Sequence, residues 1–177
     1  MYHSTKINLR IYKFVLLLMM PAILFSLYGC TENERAQIDT EAEKAAILET
    51  IATETEAYFR QDYELWKEQF VDAPYFMRIG FWEGYPNKVS YHQGFDTLRT
   101  EKKLQFEEDA TQWAGSEQTR ENLQFRIYDE AAWVTFDQVS VDSESGEELG
   151  RSKEIKILEK IEGEWRLAYI GFYYLPE

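Results

Sequence analysis

Acid–base chemistry near neutral pH calls for a histidine or a carboxyl group of shifted pKa, and this sequence holds only two histidines. His3 falls in an N-terminal stretch that reads as a leader, which leaves His92. With Cys30 the only cysteine, no intrachain disulfide can form, and the nitrogen and sulfur donors of a zinc site are lacking, so no metal is expected. His92 follows Gly84, Pro86 and Asn87, a composition that predicts a loop, with a catalytic base as the second reading. Tyr75, Tyr91, Tyr169 and Tyr173 supply phenols, and Asp72, Asp96 and Asp137 supply carboxylates, but spacing singles out none of them. The acidic runs at Glu107–Asp109 and Asp142–Glu148 read as a solvated helix end and a turn; the second lacks the spaced acids of a calcium loop.

Ahead of those residues comes an address. Lys6, Arg10 and Lys13 form a basic start, Phe14 to Tyr28 is mainly apolar, and Leu27-Tyr28-Gly29-Cys30 closes the segment. The apolar run is shorter than the roughly 20 residues that span a bilayer. The closing tetrapeptide resembles the bacterial lipobox, although Tyr28 stands where a small or β-branched residue is usual. The resemblance implies a lipoprotein signal peptide over 1–29, cleavage before Cys30, and acylation of Cys30 as a membrane anchor at the bacterial cell envelope. Residues 30–40 then read as the acylated cysteine and a polar tether.

The leader takes three of the 19 basic residues and none of the 32 acidic ones, leaving 16 against 32, a net charge of −16. Such a surface excludes nucleic-acid binding, which needs Lys and Arg to displace counterions. About 148 residues remain, enough for one domain with a real core, over 41–177. The 11 Phe, 12 Tyr and 5 Trp are too many for a disordered chain.

The elements that position these residues come in a definite order. Helical spacing of Ala45, Leu48, Ile51, Ala52, Thr55, Tyr58 and Phe59 predicts a helix over Glu41–Arg60. Asp62 reads as the N-cap of a short helix running to Phe70. Tyr75–Trp82 alternates as a strand in which Gly80 permits a bend or bulge, and Glu83–Gln93 is a loop. A third helix, Phe95–Glu108, turns Phe95, Leu98, the Lys102 stem and Phe106 inward. Four strands follow, with turns at Asp129-Glu130, Asp142–Gly146 and Glu162-Gly163. In the last, Trp165, Leu167, Tyr169 and Tyr173 share one face, and Ala168, Ile170, Phe172 and Tyr174 the other. A strand apolar on both faces must be covered on both. Segregated helices and an antiparallel sheet give an α+β class.

Tyr58–Trp66, Ile79–Gly84, Gly94–Leu98, Asp129–Val134 and Glu162–Leu167, in that order, resemble the nuclear transport factor two-like (NTF2-like, cystatin-like) superfamily, in its polyketide-cyclase-like and ketosteroid-isomerase-like branch. The resemblance implies a curved antiparallel sheet wrapped around helices, a conical pocket, and a homodimer through the outer sheet face. In related enzymes a histidine stands six residues after the closing-hairpin tryptophan; here that position is Gly171, so the dehydratase pair is missing. On this reading Tyr58, Trp66, Met77, Trp82, His92, Trp133 and Tyr169 are candidates to line the pocket. The expected function is a non-catalytic module for a small apolar ligand or a protein partner, needing no cofactor. The alternative is a cofactor-independent isomerase, dehydratase or cyclase acting on a small apolar substrate in that pocket. A third reading is a structural dimer whose cone is filled.

Overall fold

The alternating C-terminal half folds as one long sheet, and the helical N-terminal half lies across its concave side. A computed structural model describes residues 40–82, 89–108 and 116–175; the leader, Cys30 and most of the tether lie outside these. Residues 39–177 form one compact unit. In chain order its elements are α1 (Thr40–Phe59), α2 (Tyr63–Lys67), β1 (Met77–Trp82), β2 (Val89–Gln93), α3 (Phe95–Glu108), β3 (Ser116–Ile127), β4 (Ala131–Asp142), β5 (Glu148–Ile161) and β6 (Glu164–Tyr174). No described helix is long and apolar enough to cross a membrane.

The class is α+β, as the pattern predicts, with three refinements. The second helix stops at Lys67 rather than Phe70, where the chain bridges to β6 through Val71 N–H to the Leu167 carbonyl at 3.0 Å and Leu167 N–H to the Gln69 carbonyl at 2.8 Å. Val89–Gln93, read as loop, is an edge strand. The sheet order is β2-β1-β6-β5-β4-β3, and β1 runs parallel to β6, so the sheet is mixed rather than wholly antiparallel.

Local chemistry explains most boundaries. The Asp62 carboxylate accepts from Leu65 N–H at 3.0 Å, capping α2. Glu162 and Gly163 both take positive φ, 53° and 89°, the pair of left-handed residues that a tight hairpin matched to strand twist requires. Gly80 does not bulge: its pairing with Ser90 and Phe172 is regular. A Cβ there would fall 1.9 Å from the Phe172 ring, so the glycine exists to let that ring lie over β1.

The register does shift in the closing hairpin. Leu158 pairs with Leu167 but Ile157 pairs with Tyr169, leaving Ala168 as an extra residue. That bulge flips the alternation. Trp165, Leu167, Ile170, Phe172 and Tyr174 therefore share the concave face, while Tyr169 and Tyr173 point to the convex one, correcting the strict two-residue reading.

On the concave side, Ile47, Ile51, Leu98, Val134, Leu158 and Leu167 are wholly buried. The buried stripe of α1 runs through Ile47, Thr50, Ile51 and Ala57, rotated from the predicted one, and leaves Ala45 exposed. Glu43 ties the start of α1 to the hairpin by accepting from Trp165 Nε1 at 2.7 Å and Lys160 Nζ at 2.6 Å. Trp66, Phe70, Phe76 and Phe95 pack ring against ring at 4.6 to 6.0 Å and close one end of the core.

Candidate functional site

Leu, Ile and Phe fill the core only part of the way along the sheet. Beyond it the concave face turns polar and encloses a cavity of about 1100 Å³. Its walls are α1 (Glu54, Thr55, Tyr58), α3 (Leu98, Glu101, Lys102, Gln105), β1 and β2 (Arg78, Trp82, Ser90, His92), and the far halves of β4 to β6 (Gln138, Ser140, Glu154, Lys156, Phe172, Tyr174).

Four of the sequence candidates, Tyr58, Trp66, Trp82 and His92, line this space. Met77, Trp133 and Tyr169 do not. They occupy one cross-strand row on the convex face, Met77 beside Tyr169, Tyr169 beside Ile157, and Ile157 beside Trp133. The reason is parity. Ala132 and Val134 point inward on β4, which turns Trp133 out, and the Ala168 bulge turns Tyr169 out with it. His92 is buried on a strand rather than lying on a rim loop: Nε2 contacts Glu101 Oε2 at 2.7 Å and Nδ1 faces Ser90 Oγ at 3.4 Å.

The sequence did not single out the charges. Strand β5 alternates Ser152, Glu154, Lys156 and Leu158 with Ile155 and Ile157, and the polar set faces the concave side. Glu154 and Lys156 are both buried and paired at 3.2 Å, and Ser152 Oγ donates to Glu154 at 2.7 Å. On α1, Glu54 accepts from Trp66 Nε1 at 3.3 Å and from Thr55 Oγ1 at 3.4 Å. Each carboxylate in the cavity wall thus has its own donor or a histidine beside it. The expected small apolar ligand does not match this lining, because an apolar guest leaves these charges desolvated without recompense.

Arg78 and Lys102 are placed differently. Arg78 donates to Ser90 Oγ and lies over the Phe172 ring, 4.7 Å from its centroid, with no carboxylate of the described residues in contact. Burial holds its guanidinium below the usual 12.5. Lys102 Nζ donates to Gln105 Oε1 at 2.6 Å and sits 4.8 Å from the Tyr58 ring centroid; Gln105 in turn donates to Tyr58 Oη at 2.9 Å. Burial, then the charge of Arg78, lowers the Lys102 pKa from 10.5 to about 8, against weaker opposition from Glu101 and Glu54. Tyr174 is pushed up to about 12, first by burial and then by Glu154. Near β3, Arg120 donates to Thr55 Oγ1 at 2.8 Å while its Nε is buried without a partner.

With the architecture and cavity established, comparison with solved structures is decisive for the fold. A protein of unknown function with a cystatin-like fold from Nostoc punctiforme aligns at TM-score 0.58 and 19% identity, over 76% of this chain and 92% of that one. The fold is NTF2-like. An NTF2-like protein with a cystatin-like fold from Novosphingobium aromaticivorans aligns at TM-score 0.58 and 15% identity, over 83% and 91% of the two chains. The association domain of C. elegans CaMKII aligns at TM-score 0.54 and 18% identity, over 75% and 95%. At such identities the NTF2-like likeness is one of fold alone. No family model and no curated protein matches the sequence. Among the described residues, no group of three or more His, Cys, Asp or Glu side chains is placed to hold a metal ion.

Proposed function

We propose that this chain is a lipoprotein of the bacterial envelope whose NTF2-like domain binds a small molecule in the concave cavity. One observation carries the reading: a space of about 1100 Å³, bounded by aromatic rings and by several polar groups that converge on it. Small-molecule sites have this size and this mixture. The lipobox-like Leu27–Cys30 supports an anchor on Cys30, with the acidic tether holding the domain off the membrane.

The functional unit on this reading is a homodimer through the convex sheet face. Trp133 is 49% exposed there and Tyr173 40%, beside Ile157, Ile79 and Met77 in adjoining cross-strand rows. A contiguous apolar face of this kind marks an interaction surface. The CaMKII neighbour is named for association, which fits a fold that assembles.

A plugged variant tests the binding role. Ser140→Trp places a ring in the cavity, and it should abolish the thermal stabilisation that small-molecule library hits give the parent protein while the far-UV circular dichroism stays the same. Hits that stabilise both proteins equally would refute the cavity as their site. For the anchor, Cys30→Ala should move the protein from the membrane fraction to the soluble one; continued membrane association would refute acylation at Cys30.

A second reading has an observation of its own. His92 lies in the cavity wall with Glu101 on one ring nitrogen and Ser90 near the other, an arrangement able to move a proton to or from a bound molecule. On that reading the domain is a cofactor-independent isomerase, dehydratase or cyclase. His92→Asn would then abolish turnover of a bound ligand while leaving its affinity nearly unchanged.

A further inference from the structure

The cavity wall is unevenly compensated. Its carboxylates are served: Glu54 by Trp66 and Thr55, Glu101 by His92, Glu154 by Ser152 and Lys156. Its other two cations, Arg78 and Lys102, touch no carboxylate among the described residues; Glu54 and Glu101 attract both from farther off and Glu154 attracts Arg78, while the charge of Arg78 bears on Lys102. Burial outweighs that attraction at both groups, so holding them charged without a carboxylate in contact is costly. The usual physical reason to keep such a pair is an anion that arrives from outside.

We infer that Arg78 and Lys102 form the recognition site for the carboxylate of an organic acid whose flat apolar body lies against Phe172, Trp82 and Tyr174. This rests on the small-molecule reading above and narrows it to a ligand class. Ser90 takes one donor of the Arg78 guanidinium, and among the described residues Nε and Nη2 have no partner, which leaves the side-by-side fork that fits a planar carboxylate. The guanidinium is fixed from below by the Phe172 ring, which Gly80 alone allows to lie over β1. Trp82 and Tyr174 are stacked at 5.9 Å with their planes within 4°, and Phe172 meets both edge-on at 5.2 and 5.5 Å. Cation and aromatic wall therefore belong to one preorganised unit, in reach of one ligand. An inorganic oxyanion would satisfy the guanidinium but leave the rings uncovered.

Isothermal titration of the protein with trans-cinnamate, its primary amide and inorganic phosphate tests this. Cinnamate should bind saturably, roughly tenfold or more tighter than cinnamamide, since a charged partner strengthens a hydrogen bond by about that much. Arg78→Gln and Lys102→Met should each shrink that preference, lowering the affinity for cinnamate by a larger factor than the affinity for cinnamamide. Two independent variants guard against a folding defect in one of them, and circular dichroism verifies both. Equal affinity for acid and amide would overturn the carboxylate assignment while keeping the cavity as a binding site. Phosphate binding as tightly as cinnamate would likewise overturn it, in favour of an inorganic oxyanion. If neither acid nor amide binds and the Ser140→Trp test also fails, the small-molecule reading falls together with it.

Discussion

The two faces of this sheet reverse the usual arrangement of a half-buried antiparallel sheet. On the concave face, enclosed by helices, β5 presents Ser152, Glu154 and Lys156. On the convex face, with no described helix over it, the same strand presents Ile157, in a row with Trp133, Tyr169 and Met77, and Ile155, in a row with Thr135, Gly171 and Ile79. On the proposed function, charge inside serves a bound small molecule and the apolar surface outside serves a second subunit. A sheet can keep both only because its core proper is confined to the other end of the concave face, around Leu158, Leu167 and Val134.

That division can be broken at each of its parts. The largest loss is expected in the core proper. Leu167→Ala removes a wholly buried side chain and should cost about 2–5 kcal/mol in chemical denaturation. Ile157→Ala, on the half-open convex face, should cost less than about 1 kcal/mol under monomeric conditions. The convex face responds instead in assembly. Trp133→Asp with Ile157→Lys should shift sedimentation velocity from dimer to monomer at micromolar protein and leave circular dichroism intact; a monomer already in the parent protein would end the pairing idea.

The concave charges answer to pH. The folded pKa of Lys102, about 8, lies below its value of 10.5 in the unfolded chain, so its burial costs stability below pH 8. As pH rises from about 8 to 10.5 the folded protein gives up the proton first and that cost, about 3 kcal/mol, is relieved. Arg78 on β1, Glu54 on α1 and Glu101 on α3 face the same ammonium and set the balance. Lys102→Met should therefore raise stability by roughly 1–3 kcal/mol at pH 7 and flatten this part of the stability–pH curve. A further small effect lies away from both faces: Asp62→Ala removes the cap of α2 and should cost about 1 kcal/mol.

The fold was readable because its signals are local. Asp62 as a cap, Glu162-Gly163 as a tight turn and the inward run Phe95, Leu98, Lys102 each depend on neighbours a few residues away. The site was readable only in part. Two-residue alternation says which side chains share a face but not which face is concave, so Trp133, Met77 and Tyr169 were grouped with residues they never meet. The extra residue Ala168 added a phase change that no periodicity rule anticipates. Arg78, Glu154 and Lys156 were missed because charges alternating with Met and Ile along a strand resemble a solvated stripe, and Glu54 because it falls among the glutamates opposite the predicted apolar stripe of α1. One sign was present: a closing strand apolar on both faces marks the side away from the helices as an apolar surface too.

The most direct measurement is the titration of the Lys102 ammonium by nuclear magnetic resonance, with and without trans-cinnamate. The midpoint is expected near pH 8 in the free protein, shifted upward when the carboxylate binds, and raised only part of the way toward 10.5 by Arg78→Gln without ligand, because burial is the larger cause. A Lys102 that titrates at 10.5 in the free protein, or that ignores the acid at saturating concentration, would contradict it.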